Sequence, residues 1–316
     1  MRPDQVTVRR MERRDVGEAD RVMRTAFGTF LGLPEPSSFG GDSELVRTRS
    51  QARHTSAFVA EVEGRVVGSG FVARWGQFGL FGPLSVDPPY WDAGVGGRLM
   101  GRVTEELDDW GVQLAGLFTF PNSPKHIGLY HRHGFYPRAL TALMVRHVSN
   151  AETAQGTRRL SELSADDRDE LTRAVAIASS DVFAGLDLTA EVQELADRQL
   201  GDVVLVDDDN GVAGFALCHV GAGTEAGSGT CYVKFAAARP GPHAPSTFTR
   251  LVVGCEALAV ERGAGTVLAG VNTARQAAYE VMLGRGYRAG MYGLAMHRPN
   301  RAGFSRRSDF VVDDWR

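Results

Sequence analysis

Two short stretches of this sequence carry residue types that could do chemistry. The first is Val86-Asp87-Pro88-Pro89-Tyr90-Trp91-Asp92-Ala93-Gly94-Val95-Gly96-Gly97-Arg98-Leu99-Met100. A strand-like run ends at Val86, and the two prolines stop it because proline has no N–H to give a ladder. Gly94, Gly96 and Gly97 then open a helical pattern. Without Cβ atoms they let backbone N–H groups approach an anion, and a helix N-terminus adds positive potential, which suits a pyrophosphate. Taken alone, a Gly-x-Gly is first the mark of a tight strand-to-helix turn. A dinucleotide fingerprint is a third reading, but the next glycine is Gly101 and no early βαβ unit surrounds the loop.

The second stretch runs from Asn122 to Phe135 and includes Ser123-Pro124, Leu129-Tyr130 and Gly134-Phe135. Ser123 before Pro124 is a helix start, and Gly134 suits its stop. The Tyr130 hydroxyl could give up a proton; taken alone, it reads first as a tyrosine packed in a core. His126, His131 and His133 do not share one helical face, so no metal site is expected of them. His126 lies one turn before Tyr130 and stays a possible site residue.

These stretches need a scaffold. Strand patterns cover residues 5–11, 57–63, 66–74, 78–86, 113–120 and 140–147, with Glu63-Gly64-Arg65 as a hairpin turn. Helical patterns cover 15–27, with Asp15 as its cap, and 42–53, 94–110 and 124–133. A polar, small-residue stretch at 149–156 reads as a linker. The order then recurs: helices at 165–179 and 189–199, strands at 203–207 and 212–220 around an Asp-Asp-Asn-Gly turn, a strand at 230–236, a helix at 246–262, a strand at 267–271 and a helix at 275–285. Phe310-Val311-Val312 could add an edge strand. Similar element order with little similar sequence suggests a duplicated fold, with domains at 1–149 and 150–316.

The chain has 316 residues and 43% hydrophobic content, enough for two cores. A net charge of -3 gives no overall field for nucleic acid or an anionic membrane. Cys218, Cys231 and Cys255 form neither a metal pair nor a disulfide ladder and suggest a reduced, cytoplasmic protein. The N-terminus lacks the apolar run of a signal peptide, and no stretch of about 18 apolar residues is present. Lysine occurs only at Lys125 and Lys234. A monomer or a homodimer is expected.

Together the two stretches resemble the GNAT superfamily of N-acetyltransferases over about residues 5–148. Val86 and Pro88, followed by Gly94 and Gly96, match that family's acyl-CoA loop; Leu129, Tyr130, Gly134 and Phe135 match its second motif. Trp91 stands where the family has Gln or Arg, so one side-chain contact to phosphate is lost and the backbone cradle is kept. The resemblance implies an α/β fold of two tandem GNAT-like domains, each a twisted mixed sheet flanked by helices. It implies acetyl-CoA as co-substrate and no metal. The cofactor residues it implies are Leu84, Ser85, Val86, Asp92, Gly94, Val95, Gly96, Gly97, Arg98, Asn122, Ser123 and Tyr130, with Tyr130 as the acid that protonates the departing thiolate.

In the second half the equivalent loop is Arg239-Pro240-Gly241-Pro242-His243-Ala244-Pro245, where prolines remove the backbone donors. Met282 takes the tyrosine position and Tyr279 lies one turn early. This half is read as a degenerate copy that has lost CoA binding.

The implied reaction is direct transfer of acetyl to the amine of a small-molecule acceptor, with no nucleic acid or membrane as partner. A thiol of pKa about 8.5 leaves easily, whereas presenting an alkylamine of pKa about 10.4 as neutral at pH 7 costs roughly 4–5 kcal/mol. The base therefore matters as much as the acid. The strand 78–86 has no carboxylate; Glu44, His54, a relayed water or the carboxylate of Arg316 are candidates. Two further readings are a non-catalytic acyl-CoA-binding or structural protein, and an enzyme like the tandem-GNAT mycothiol synthase, in which the second domain does the chemistry.

Overall fold

The computed structural model describes residues 6–150, 152, 154–209 and 211–315. Arg316, one of the base candidates, lies outside the described residues, as do parts of the expected linker and of the turn at Asn210.

The first half runs β1 (Val6–Arg10), α1 (Val16–Leu31), α2 (Leu45–Gln51), β2 (Thr55–Val62), β3 (Arg65–Trp75), β4 (Phe78–Val86), α3 (Val95–Asp109), β5 (Leu114–Thr119), α4 (Pro124–Arg132) and β6 (Tyr136–His147). The second repeats it as β7 (Thr157–Arg159), α5 (Ala165–Val182), α6 (Thr189–Asp197), β8 (Gly201–Asp208), β9 (Gly211–Gly221), β10 (Gly227–Ala238), α7 (Ala244–Glu261), β11 (Thr266–Asn272), α8 (Gln276–Gly284) and β12 (Arg288–Arg298), then adds β13 (Val311–Asp313). The mixed α/β fold and its duplication are as the pattern of elements implied.

The two sheets are one. The strand order is β1-β2-β3-β4-β5-β12-β6-β11-β10-β9-β8-β7, with β13 on β10. Read from either end it is the same: five strands of one half, then the last strand of the other. The last strands are exchanged. β12 lies antiparallel between β5, with Leu294 opposite Thr119, and β6, with Leu294 opposite Leu140. β6 in turn pairs with β11, from Thr141 opposite Asn272 to His147 opposite Thr266. Each exchanged strand is therefore hydrogen-bonded on both edges to the other half.

The sequence reading did not anticipate β12 or β7. It placed an edge strand at Phe310-Val312, where β13 instead fills a gap beside β10. The helix expected over 42–53 is shorter, because Asp42 turns away to accept the Ser228 backbone N–H at 2.8 Å. Asp15 precedes α1 but makes no side-chain cap. Its carboxylate is taken by the Glu12 N–H at 2.7 Å and by Arg9 at 2.6 and 2.9 Å. The hairpin turn at Glu63-Gly64 is left-handed at both residues, which the glycine tolerates.

One core lies under α3 and another under α7. A third is shared, with Trp75, Phe78 and Leu114 of the first half packed against Leu171, Val175 and Leu186 of the second. The three cysteines are free and buried. Among the described residues no helix is long and apolar enough to cross a membrane.

The exchange has a direct test. Expressed alone, residues 1–149 or 150–316 leave the exchanged strand with two unpaired edges, so each is expected to be insoluble or to melt without cooperativity. Co-expressed, the two fragments should co-purify one to one. A monomeric 1–149 fragment with a cooperative melt would show that the exchange is dispensable.

Candidate functional site

β4 and β5 are parallel and pair only from Phe78 opposite Leu114 to Phe81 opposite Leu117. Beyond that point they part. β4 stays bonded to β3 as far as Val86 opposite Gly68, so its other edge, Gly82 to Val86, faces a groove of about 730 Å³. The glycine loop closes one end of this groove, and Leu84, Ser85, Val86, Asp92, Gly94, Val95, Gly96 and Gly97 all line it.

The loop is built as an anion cradle. Gly94 holds φ 80°, a left-handed conformation suited to glycine, and caps α3. The next three backbone N–H groups, of Val95, Gly96 and Gly97, belong to the first turn and have no helical partner. A Cβ added at Gly97 would meet nothing within 4 Å, so packing does not require glycine there, whereas a closely approaching ligand would. Trp91 turns its indole N–H to the Val86 carbonyl at 2.6 Å and lies beneath the Lys125 ammonium, 5.9 Å from the ring centroid. Lys125 also pairs with Asp92 at 2.6 Å. Lys125 and Arg132 line the groove and bring the positive charge that the missing Gln or Arg would have helped to supply. The residues present thus fit a pyrophosphate. Arg98 and Asn122 are not part of the lining: the Arg98 guanidinium reaches away to the Val6 carbonyl at 3.1 Å, and Asn122 is exposed.

Ser123 caps α4 by accepting the His126 N–H at 3.4 Å and lines the groove, as does Tyr130 one turn beyond His126. Tyr130 is buried against Phe81, ring centroids 5.8 Å apart. Burial pushes its hydroxyl up to about 12, against a smaller opposing effect of a hydrogen bond with Thr119. It therefore stays protonated near neutral pH. His126 stacks beside Phe30 and Phe120, and its imidazole is pushed down by burial and then by Lys125, which favours the neutral ring.

Past Tyr130 the walls become apolar and aromatic, with Phe27, Phe30, Phe39 and Phe120 from the first half. The far end is closed by Glu225, Tyr232, Met291 and Trp315 of the second half. No local pattern could have marked these four: they reach the groove only through the strand exchange and the closing tail.

Glu225 belongs to a buried ion cluster that joins the halves. Arg49 donates to it at 2.9 and 3.4 Å and to the Gly82 carbonyl at 2.6 Å. Lys234 lies 2.9 Å from Glu225 and 3.0 Å from Glu191. Glu191 also accepts the Trp75 indole N–H at 3.0 Å and pairs with His54 Nε2 at 3.0 Å. Burial alone would raise the two carboxyls, but Arg49 and Lys234 outweigh it for Glu225, and Lys234 and His54 for Glu191; both are held well below the usual range. Removing one member would strand a buried charge, at a cost of about 3–5 kcal/mol. His54 is thus tied into this cluster and does not line the groove; Glu44 pairs with Arg47 at 3.1 Å and does not line it either.

The second half has the same geometry with a different outcome. β10 and β11 are parallel and pair only from Thr230 opposite Thr266 to Val233 opposite Ala269. Where they part, β13 enters and pairs with β10, Phe235 opposite Asp313 to Ala237 opposite Val311. Arg275, fully buried, fixes this strand through Asp313 at 3.0 and 3.1 Å and the Val311 carbonyl at 3.2 Å. Arg239 is committed to Asp181 at 2.7 Å, and the Tyr279 hydroxyl to Tyr292 at 2.9 Å. Met282 is buried at the position of Tyr130.

Two parting parallel strands, present twice in one sheet but with a glycine loop at the mouth only in the first half, define a duplicated α/β fold. Residues 29–135 match the profile of the acetyltransferase (GNAT) family, and solved structures, a tandem GNAT protein among them, share the fold of nearly the whole chain. A GCN5-related N-acetyltransferase from Sphaerobacter thermophilus is 15% identical with a TM-score of 0.61, covering 97% of this chain and 100% of its own. A protein of Pyrococcus horikoshii, provisionally named an acetyltransferase, is 14% identical with a TM-score of 0.68, covering 98% and 95%. A tandem GNAT protein from the clavulanic acid biosynthesis pathway is 14% identical with a TM-score of 0.53, covering 92% and 98%. No curated protein matches the chain. The family binds acetyl-CoA, and among the described residues no cluster of side chains could hold a metal.

Calorimetric titration of the intact chain with acetyl-CoA should give one site, since β13 fills the second notch. Gly97→Asp has room for its side chain and places a carboxylate in the anion cradle. It should weaken binding by about 1.5–3 kcal/mol, roughly 10- to 150-fold. Two equivalent sites, or unchanged affinity in a folded Gly97→Asp protein, would contradict this assignment.

Proposed function

We propose that the chain is a small-molecule N-acetyltransferase whose active groove belongs to the first half and whose acceptor end is walled by the second. The observation that carries this reading is the continuity of one groove from the glycine loop, past Tyr130, to Glu225, Tyr232 and Trp315. Its volume of about 730 Å³ lies within the range of pockets that enclose small ligands.

Acetyl-CoA, when bound, supplies the acetyl group as a thioester. The first-turn N–H groups of α3 and the Lys125 ammonium hold its phosphates. The edge of β4 between Gly82 and Val86, whose two end carbonyls are taken by Arg49 and Trp91, offers its remaining backbone groups to the amides of the pantetheine arm, a role that β13 forecloses on β10. Tyr130, protonated and one wall of the groove, gives its proton to the departing sulfur. The acceptor is an amine on an apolar body, because Phe27, Phe30, Phe39, Phe120 and Met291 offer that body aromatic and thioether surface. A reading in which the second half does the chemistry is disfavoured by β13 in its notch and Met282 at its acid position. We place the protein in the cytoplasm, as its three free cysteines suggest.

A panel of aralkyl and alkyl amines with acetyl-CoA, read by free-thiol release, tests this function. Turnover is expected with amines bearing an aromatic or branched apolar group. Tyr130→Phe should lower kcat by about 10²-fold, the lower end for general acid catalysis because the thiolate leaves easily, with CoA affinity intact. CoA binding without turnover of any amine would favour the non-catalytic alternative, and wild-type rates in Tyr130→Phe would assign the tyrosine to packing.

A further inference from the structure

The proposed reaction has an acid in Tyr130 but still lacks a proton acceptor. β4 carries no carboxylate, and Glu44 and His54 lie off the groove. Glu225 lines it, but Arg49 and Lys234 occupy its oxygens.

The sheet decides where an acceptor is needed. Phe71 of β3 packs in the core under α1, and its neighbour Val72 in the core under α3, so these helices cover opposite faces. Val95 of the glycine loop and Tyr130 belong to the α3 face, and Phe27 and Phe39 to the α1 face. The groove reaches residues of both, through the split between β4 and β5. An acetyl group must therefore change hands inside that split. There α4 meets α1: the His126 ring stands 5.0 Å from that of Phe30, and Phe120, just past the end of β5, lies 4.4 Å from Phe30 and 6.1 Å from His126.

His126 lies one turn before Tyr130 on α4, so the two side chains share a helix face. Its Nδ1 is buried and has no hydrogen-bond partner. Packing between two phenyl rings does not require such a group, and leaving it unpaired is a cost. The ring lines the groove, so Nε2 is the nitrogen that can meet a ligand. A neutral imidazole always keeps one nitrogen as an acceptor.

We propose that His126 is the general base, taking the proton of the acceptor amine at Nε2; this rests on the acetyl-transfer reading above. As the nitrogen bonds to the acetyl carbon and the carbon–sulfur bond breaks, the N–H proton moves to His126 Nε2 and the phenolic proton of Tyr130 to the sulfur. The attacking nitrogen becomes positively charged, and its proton is then more acidic than that of a free ammonium, so a weakly basic imidazole suffices. His126 now holds the proton that Tyr130 lacks. Its return over one helical turn, through water, resets both groups with no third residue.

Among the described residues Lys125 is the charged group that acts on the ring, and it is paired with Asp92. α1 and the end of β5 turn Phe30 and Phe120 to the ring, and Tyr130 stays protonated. The base works only when neutral. Burial, then Lys125, lowers its pKa, so kcat is sustained near neutral pH and falls in acid, below the ordinary imidazole value of about 6.5.

The test uses the full chain with acetyl-CoA and an amine that the wild type turns over. His126→Ala should keep the wild-type CoA affinity and lose about 10²-fold in kcat near pH 7. Added imidazole should recover roughly tenfold of that loss, whereas pyrazole, of the same shape but scarcely basic, should not. His126→Gln should show the same loss and lack the acid limb of the wild type. A kcat within about twofold of wild type, imidazole no better than pyrazole, or an acid limb that survives in His126→Gln overturns the assignment. If His126→Ala does not fold, His126→Gln decides. A wild type that turns over no amine sinks the acetyl-transfer reading and the base with it, whereas an active wild type with fully active variants sinks the base alone.

Discussion

The antiparallel pairing of β6 with β12 is the constraint on which the rest of this molecule depends. Each of these strands closes the sheet of the half to which it does not belong. That pairing joins two five-strand sheets into one and brings Met291 to the end of the first-half groove. It also brings α5 and α6 over Trp75 and Phe78, so that a core is shared between the halves. The buried cluster of Arg49, Glu225, Lys234, Glu191 and His54 then sits where both halves meet, dry enough for its charges to require one another.

Both halves face the same topological problem. A parallel pair that parts midway leaves backbone donors and acceptors unpaired along the gap, and buried groups of this kind must find partners. The second half solves it internally, with β13 and the Arg275 clamp. The first leaves the edge of β4 facing a groove. One copy of the fold is thus completed by its own chain and the other is open to a ligand, and the segment that completes the second copy runs on to wall the first.

Much of the first-half site was legible in the sequence because it is local. The glycine loop and the helix from Ser123 to Tyr130 each lie within about one turn of the chain element that positions them, and their residue types announce the need for anion contact, a cap and a stop. Other features were not legible. β12 has no strong alternation, since Gly290 and Gly293 interrupt it and it is partly exposed. Glu225, Tyr232 and Trp315 reach the groove from a turn, a strand and a tail nearly a hundred residues or more downstream of Tyr130, and spacing carries no information at that range. Glu44 and His54 were chosen as titratable groups on a nearby helix and its end, but a neighbouring arginine and a buried carboxylate claim them. Lys125 was visible only as one of two lysines.

That scarcity has a chemical consequence. Of the 35 lysines and arginines only two are lysines, and the rest are arginines, whose guanidinium groups are poor nucleophiles towards thioesters. Lys234 is sealed in the ion cluster. Lys125 is the one accessible side-chain amine, and it stands at the mouth of the groove, tied to Asp92 and lying over Trp91. A protein that concentrates an activated acyl donor exposes its own surface to stray acylation. Here the surface offers almost no lysine to that damage, and Lys125 is held in an ion pair with the carboxylate beside it.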